Sequence, residues 1–236
     1  MIRVYKRKTY EGFSLIEMLI TTVLLGFIML ISALVLTTLL RVSTTATNKA
    51  RIRTDSEYVL ELLKRTIRTT SPDYVKIFDS SGREFDTINN NVSIRDGVFT
   101  EVTTGTGNEI HIKPNGSSRW LCVAYYKGSP SDTDNAGVVK GYILKTSIED
   151  MDNNIEGHKG CFNPEVNHQS NYLVLNSRFA NIEDFKIKQS LAGDDYNKII
   201  QFDLKSSAVY WYFAKGGLLN RSFYRQAVVK TEGVIW

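Results

Sequence analysis

Residues 13–40 read FSLIEMLITTVLLGFIMLISALVLTTLL, and Glu17 is the one charged side chain in the run. A basic leader precedes it, residues 1–12, MIRVYKRKTYEG. Twenty or more apolar residues in succession make a membrane-spanning helix. A carboxylate inside such a span costs about 2.5–3.5 kcal/mol on insertion scales, so its default reading is functional, with a buried partner to offset the charge. A secretory signal peptide has an apolar core of about 7–15 residues with a small-residue cleavage site behind it. Here the run is twice that length and no A-x-A site follows. A plain anchor leaves Glu17 unexplained.

The apolar run passes without a break into a polar helical stretch. Residues 41–70 contain no Pro and no Gly. Ile52, Val59, Leu63 and Ile67 recur at helical spacing, flanked by Leu60 and Leu62, and Arg51, Arg53, Lys64, Arg65 and Arg68 take the other faces. Ser71-Pro72 ends the stretch, because proline cannot continue the backbone bonding and restricts the residue before it. The pattern predicts one helix from about residue 13 to about residue 70, about 85 Å long at the helical rise. Its first half is apolar all round, and its second half has one stripe to bury.

After Pro72 the pattern becomes short and alternating. Candidate strands are 74–78, 97–102, 109–113, 120–126, 138–146, 185–189, 198–204, 209–214 and 218–225. Turn signals fall at Ser80-Ser81-Gly82, Gly105 to Asn108, Pro114-Asn115-Gly116 and Gly216-Gly217, the last reading as a hairpin. The expected fold is α+β: a long N-terminal helix whose second half packs on an antiparallel sheet, with accessory strands. The expected division is a leader, 1–12; an apolar helix, 13–40; the amphipathic half of that helix, 41–71; and a β-rich head, 72–236.

Of the formal charge of +4, the leader holds +3 through Arg3, Lys6, Arg7, Lys8 and Glu11, and +1 is left for the rest. That balance argues against a surface built for nucleic acid. The basic leader places the N-terminus in the cytoplasm and the bulk of the chain outside. Cys122 and Cys161 then lie in an oxidising compartment, where a disulfide between them is expected. Two unrelated buried thiols are one alternative. A zinc site using His158, Cys161 and His168 is another, though that spacing matches no standard zinc pattern. All three histidines, His111 included, read as surface or half-buried side chains. The oxygen-rich loops 130–137 and 149–154 are of a kind that holds Ca²⁺, but neither has EF-hand spacing, and solvated loops are the plainer reading. Tyr210-Trp211-Tyr212-Phe213 divides between two strand faces and reads as packing. No nucleophile elbow, zinc-protease, phosphate-loop or dinucleotide motif is present, so no enzyme is expected and no cofactor is assigned.

Gly12-Phe13-Ser14-Leu15-Ile16-Glu17 behind a basic leader resembles the processing site of type IV prepilins and pseudopilins. The resemblance implies cleavage between Gly12 and Phe13 by prepilin peptidase and N-methylation of Phe13. It further implies that Glu17 neutralises the Phe13 amine of a neighbouring subunit in a helical filament. Lys215-Gly216-Gly217-Leu218-Leu219-Asn220-Arg221, with the helical SEYVLELLKRTIR, is similar to large minor pilins of the W type and to J-type minor pseudopilins. Residues 30–38 lack the proline common in major pilins, which favours a minor role. Residues 13–40 then lie in the inner membrane before assembly and in a filament core afterwards. The implied partners are other pilins, the peptidase and an inner-membrane assembly platform. The implied function is a minor pilin or pseudopilin of a type IV pilus or related secretion or competence filament, at or near the tip and priming assembly. A DNA-uptake or adhesive pilin is the alternative.

Overall fold

The computed structural model describes residues 12, 14–72, 74–80, 82–94, 99–103, 105–134, 137–149, 161–162, 172–190, 199–209 and 222–231. Two compact units are present, Met1–Ala46 and Thr47–Trp236. Helix α1 spans Leu15–Thr70. It stops as the sequence predicts: Ser71 turns to a φ of 37°, a left-handed end, and Pro72 follows.

The second unit holds two sheets. The larger comprises β1 (Tyr74–Asp79), β2 (Arg83–Asp86), β3 (Asn91–Ile94), β4 (Thr100–Glu101), β6 (Glu109–Lys113), β7 (Arg119–Gly128), β8 (Gly141–Glu149) and β9 (Leu173–Val174). Strand β7 is its spine. One edge carries β8 along its length, while the other is shared by β6, opposite residues 121–124, and β2, opposite 127–128. The β2–β7 pairing is parallel, a departure from the all-antiparallel expectation. The smaller sheet runs β12 (Ser222–Lys230), β11 (Ile199–Ala208), β10 (Ala180–Ser190) and β5 (Thr106–Gly107).

Alternation along the strands makes two cores. Val59, Leu60, Leu63 and Ile67 of α1 bury against Ile77, Ile110, Ile112, Val123 and Ile143 of the larger sheet and Phe185, Ile187, Phe202 and Leu204 of the smaller. The opposite face of the larger sheet packs Phe85, Trp120, Cys122, Ala124 and Tyr126 under Cys161, Phe162 and Tyr172. Strands β6 and β7 are therefore covered on both sides. Ser56 is also buried on the helix stripe, its hydroxyl 2.7 Å from that of Ser206 on β11.

Close backbone approach occurs where the sheets abut. A Cβ on Gly141 would lie 2.1 Å from the Ile182 carbonyl oxygen and 2.5 Å from Tyr125 Cε2. The Gly141 N–H donates to Asn181 Oδ1 at 2.9 Å, and the Tyr125 hydroxyl donates to the Ile182 carbonyl at 3.1 Å. Backbone held by such bonds cannot give way cheaply. Gly141→Ala is expected to destabilise the head by about 2–3 kcal/mol, read as a lower denaturant midpoint at unchanged slope.

On the outer face of the smaller sheet, Asp203 is the hub. Its carboxylate accepts from Lys188 Nζ at 2.9 Å, Gln201 Nε2 at 3.0 Å and Gln226 Nε2 at 2.9 Å. Burial alone raises an acid's pKa, but these donors outweigh it and hold Asp203 at about 2. The folded value lies below the unfolded one, so the stabilisation is complete above the ordinary carboxylate value of 3.8 and fades as pH falls towards 2. The contribution is about 2 kcal/mol. Asp203→Asn should lose stability at neutral pH and show a shallower acid decline between pH ~4 and ~2 in thermal melts.

Candidate functional site

The start of α1 carries a reciprocal cap. The Glu17 N–H donates to Ser14 Oγ at 3.3 Å, and the Ser14 N–H donates to Glu17 Oε2 at 3.0 Å. Two N–H groups that a helix start leaves without intrahelical partners are satisfied this way. The S-x-x-E spacing that makes the cap is legible in residues 14–17, but Ser14 stands inside an otherwise apolar run, where its hydroxyl does not stand out.

Beyond the cap, every residue from 14 to 44 is exposed in the isolated chain, Leu15, Ile16, Met18, Phe27 and Met29 at 60% or more. The few hydroxyls in this stretch bond their own helix. Thr21 Oγ1 donates to the Glu17 carbonyl at 2.8 Å, Ser32 Oγ to Ile28 at 2.7 Å and Thr38 Oγ1 to Leu34 at 2.8 Å. Serine and threonine so bonded bring no unsatisfied donor into an apolar medium. By length and composition α1 can cross a membrane. Burying each large apolar side chain is worth about 1.5–3 kcal/mol. Summed along the half-helix, that exceeds the cost of one carboxylate several-fold. One carboxylate therefore does not prevent burial of this half-helix in an apolar medium. Gly12 is exposed; Phe13 lies outside the described residues.

The second cluster lies on the far face of the larger sheet. Cys122 and Cys161 form a disulfide with Cα atoms 6.2 Å apart. His111, cross-strand partner of Cys122, is fully buried, which corrects the surface reading. The reason is that β6 is covered on both faces, so alternation sends His111 into the second core rather than to water. Its Nε2 lies 2.6 Å from Glu109 Oε1. Glu109 is also fully buried, takes the Tyr126 hydroxyl on Oε2 at 2.5 Å and has Arg83 Nη1 at 3.7 Å. Burial pushes the Glu109 carboxyl up, but His111, Arg83 and Tyr126 outweigh that and hold it below its ordinary value. Burial and the Glu109 charge push the Tyr126 hydroxyl well above its own. The disulfide closes a loop with a sequence separation of 39. Replacing both cysteines by alanine should cost on the order of 3–4 kcal/mol in urea denaturation, and reductant should then leave the variant unaffected.

The described carboxylates of the oxygen-rich turn between β7 and β8 are taken up by protein donors, Asp134 Oδ2 by Asn181 Nδ2 of β10 at 3.3 Å among them. Asp132 takes Lys140 Nζ at 2.7 Å and the Tyr142 hydroxyl at 2.5 Å, and Asp134 takes the Val138 N–H at 2.9 Å. Glu149, at the edge of the other acidic loop, takes Arg119 Nε at 2.9 Å. His158, His168, residues 150–154, the aromatic run 210–213 and the Gly216-Gly217 turn lie outside the described residues.

No curated protein and no solved structure matches the chain. Residues 7–38 match the family model described as the prokaryotic N-terminal methylation motif. That match, the apolar half-helix it covers and the helix-on-sheet head behind it support a type IV pilin-like prepilin.

Proposed function

We propose that the chain is a minor pilin or pseudopilin, a structural subunit of a type IV pilus or a related type II secretion or competence filament, placed at or near the tip and priming assembly. In this reading prepilin peptidase cuts between Gly12 and Phe13, and the new Phe13 amine is methylated. The apolar half-helix leaves the inner membrane for the filament core, with Glu17 meeting a neighbour's Phe13 amine and the head outside the membrane. The observation that carries it is the exposed apolar half of α1 with a capped carboxylate at its first turn. Lipid or copies of the same helix are the media that bury such a surface, and a charged partner is what offsets the cost of carrying the carboxylate into them, which the cap alone does not do.

The outer face of the smaller sheet bears on the DNA-uptake alternative. Lys186, Lys188 and Lys205 stand there, but each pairs with a carboxylate: Asp184 at 2.6 Å, Asp203 at 2.9 Å and Glu183 at 2.9 Å. Paired charges do not present the field a polyanion seeks. The structural-subunit reading is therefore preferred.

The test is filament composition. Sheared surface filaments from cells expressing a tagged chain should contain it at a small fraction of the major subunit. Deleting its gene should leave major subunits stranded in the membrane. Recovery of the chain only as a soluble extracytoplasmic protein, or membrane protein that keeps residues 1–12 beside active peptidase, would sink the proposal.

A further inference from the structure

His111, Cys122 and Cys161 meet in one buried place. One ligand atom from each lies within 4.8 Å of the other two, and all three residues are fully buried. Tetrahedral zinc, with Zn–S near 2.3 Å and Zn–N near 2.0–2.1 Å, sets ligand atoms about 3.5–3.8 Å apart. The observed envelope of 4.8 Å encloses that spacing once the sulfurs are separate. We propose that His111, Cys122 and Cys161 form a site for a thiophilic divalent cation of the zinc class when both cysteines are thiols. Disulfide and metal are then alternative ties holding the 161–162 segment to the larger sheet.

Three observations support the site. The first is the support behind the histidine. Metal-bound imidazole characteristically hands its other ring nitrogen to a carboxylate, which fixes ring orientation and raises ligand basicity. His111 Nε2 already meets Glu109 Oε1 at 2.6 Å, and Glu109 is itself held by Tyr126 at 2.5 Å. The second is that Cys161 is anchored independently of its sulfur. Arg83 Nη1 donates to the Cys161 carbonyl at 3.4 Å. The adjoining Phe162 ring packs 5.6 Å from Tyr126 and 5.5 Å from Tyr172. Opening the disulfide therefore leaves Cys161 near β7. The third is charge. Two thiolates balance the dication, while Glu109 and Arg83, 3.7 Å apart, offset each other, so the filled site buries no net charge. Three protein ligands leave a fourth position for water.

The chemistry balances with a dithiol as reductant. It delivers two electrons and two protons to the sulfurs and leaves as its own disulfide. Binding of the cation then releases the two thiol protons to solvent.

The probe is Co²⁺ alone, added anaerobically to the full chain in detergent after reduction and removal of the dithiol. One ion per chain should bind, with tetrahedral d–d absorption and a thiolate-to-cobalt charge-transfer band, both lost on adding Zn²⁺. The oxidised chain should show neither. Cys161→Ser should abolish the charge-transfer band at the same ion concentration. Glu109→Gln should weaken binding about tenfold or more. His111→Cys should keep tetrahedral cobalt with a stronger charge-transfer band. A second measurement avoids variants: Zn²⁺ should slow alkylation of both thiols in the reduced wild-type chain. A reduced wild-type chain that binds no Co²⁺, or binds it octahedrally, overturns the proposal. So does thiol alkylation that Zn²⁺ leaves unchanged, or an affinity indifferent to both His111→Ala and Glu109→Gln.

Discussion

Gly12→Val should leave the leader on. The expected result is a membrane-bound precursor beginning at Met1, none of the shortened form beginning at Phe13, and no tagged subunit in sheared filaments. A Cβ built on Gly12 meets nothing within 4 Å, so the folded chain itself does not object to a side chain there. The effect must come from an outside partner that needs that position bare, which is the demand a peptidase pocket makes on the residue before its cut. Head stability is the internal control: denaturation of Gly12→Val and of wild type should coincide. Intact-mass analysis of membrane extracts reads the outcome. Normal shortening of Gly12→Val removes the assignment of the cleavage site. A matching loss of head stability would move the explanation from processing to folding.

Much of the architecture was legible because a few residues act as hard punctuation. Absence of Pro and Gly through residues 41–70, and Pro72 after them, place the end of α1 at about residue 70, and the helix ends at Thr70. The stripe Ile52, Val59, Leu60, Leu63 and Ile67 is buried as its spacing requires. Leu62 is only half-buried, and Ser56 was missed, because a serine on an apolar face looks like a fault until its partner, Ser206, is seen across the core. Strand β6 was predicted at its observed limits, since an alternating segment between Gly-rich and Pro-Asn-Gly turns has one reading. Shorter strands escaped. Strands β2 and β3 have four residues each, with charged or polar side chains among them, too little for a period to register. Strand β8 begins at Gly141 rather than residue 138, because Val139 is bridged back to Thr133 inside the turn.

Pairing was the least legible level. Ser207 stands opposite Ser222, whereas a two-residue turn at Gly216-Gly217 would pair residue 207 with 226. The register follows the buried set Phe202, Leu204 and Val229, which a turn dipeptide alone does not encode. The parallel β2–β7 contact shares that cause, since it joins positions whose neighbours only the fold chooses. The Glu109–His111 pair is two residues apart on one face of β6, and what the sequence leaves open there is the burial of that face.

Glu17 separates three roles that one substitution would confuse: a charge, a cap and a processing mark. Glu17→Ala removes charge and cap together. Glu17→Gln removes the charge but keeps a side-chain oxygen able to accept the Ser14 N–H, since glutamine serves in the same capping position. Ser14→Ala keeps the charge and deletes the other half of the cap, which spans 3.3 Å from the Glu17 N–H to Ser14 Oγ. A lost cap costs about 0.5–2 kcal/mol of helix stability at one end. A lost intramembrane charge makes insertion easier by about 2.5–3.5 kcal/mol. If Glu17 acts by meeting the neighbour's Phe13 amine, Glu17→Ala and Glu17→Gln should both insert, both be cleaved after Gly12, and both drop out of filaments and of co-purification with other pilins. Ser14→Ala should assemble close to normally. The energetic reason for so large an effect is that a Phe13 amine left alone in the apolar layer has no substitute partner, whereas paired opposite charges offset much of each other's desolvation. If instead the cap is what assembly needs, Glu17→Gln should behave as wild type while Glu17→Ala and Ser14→Ala fail together. If both Glu17 variants keep residues 1–12, the carboxylate is read by the peptidase. The charge-pairing role fails outright if Glu17→Gln is cleaved, enters filaments at the wild-type share and holds its partners.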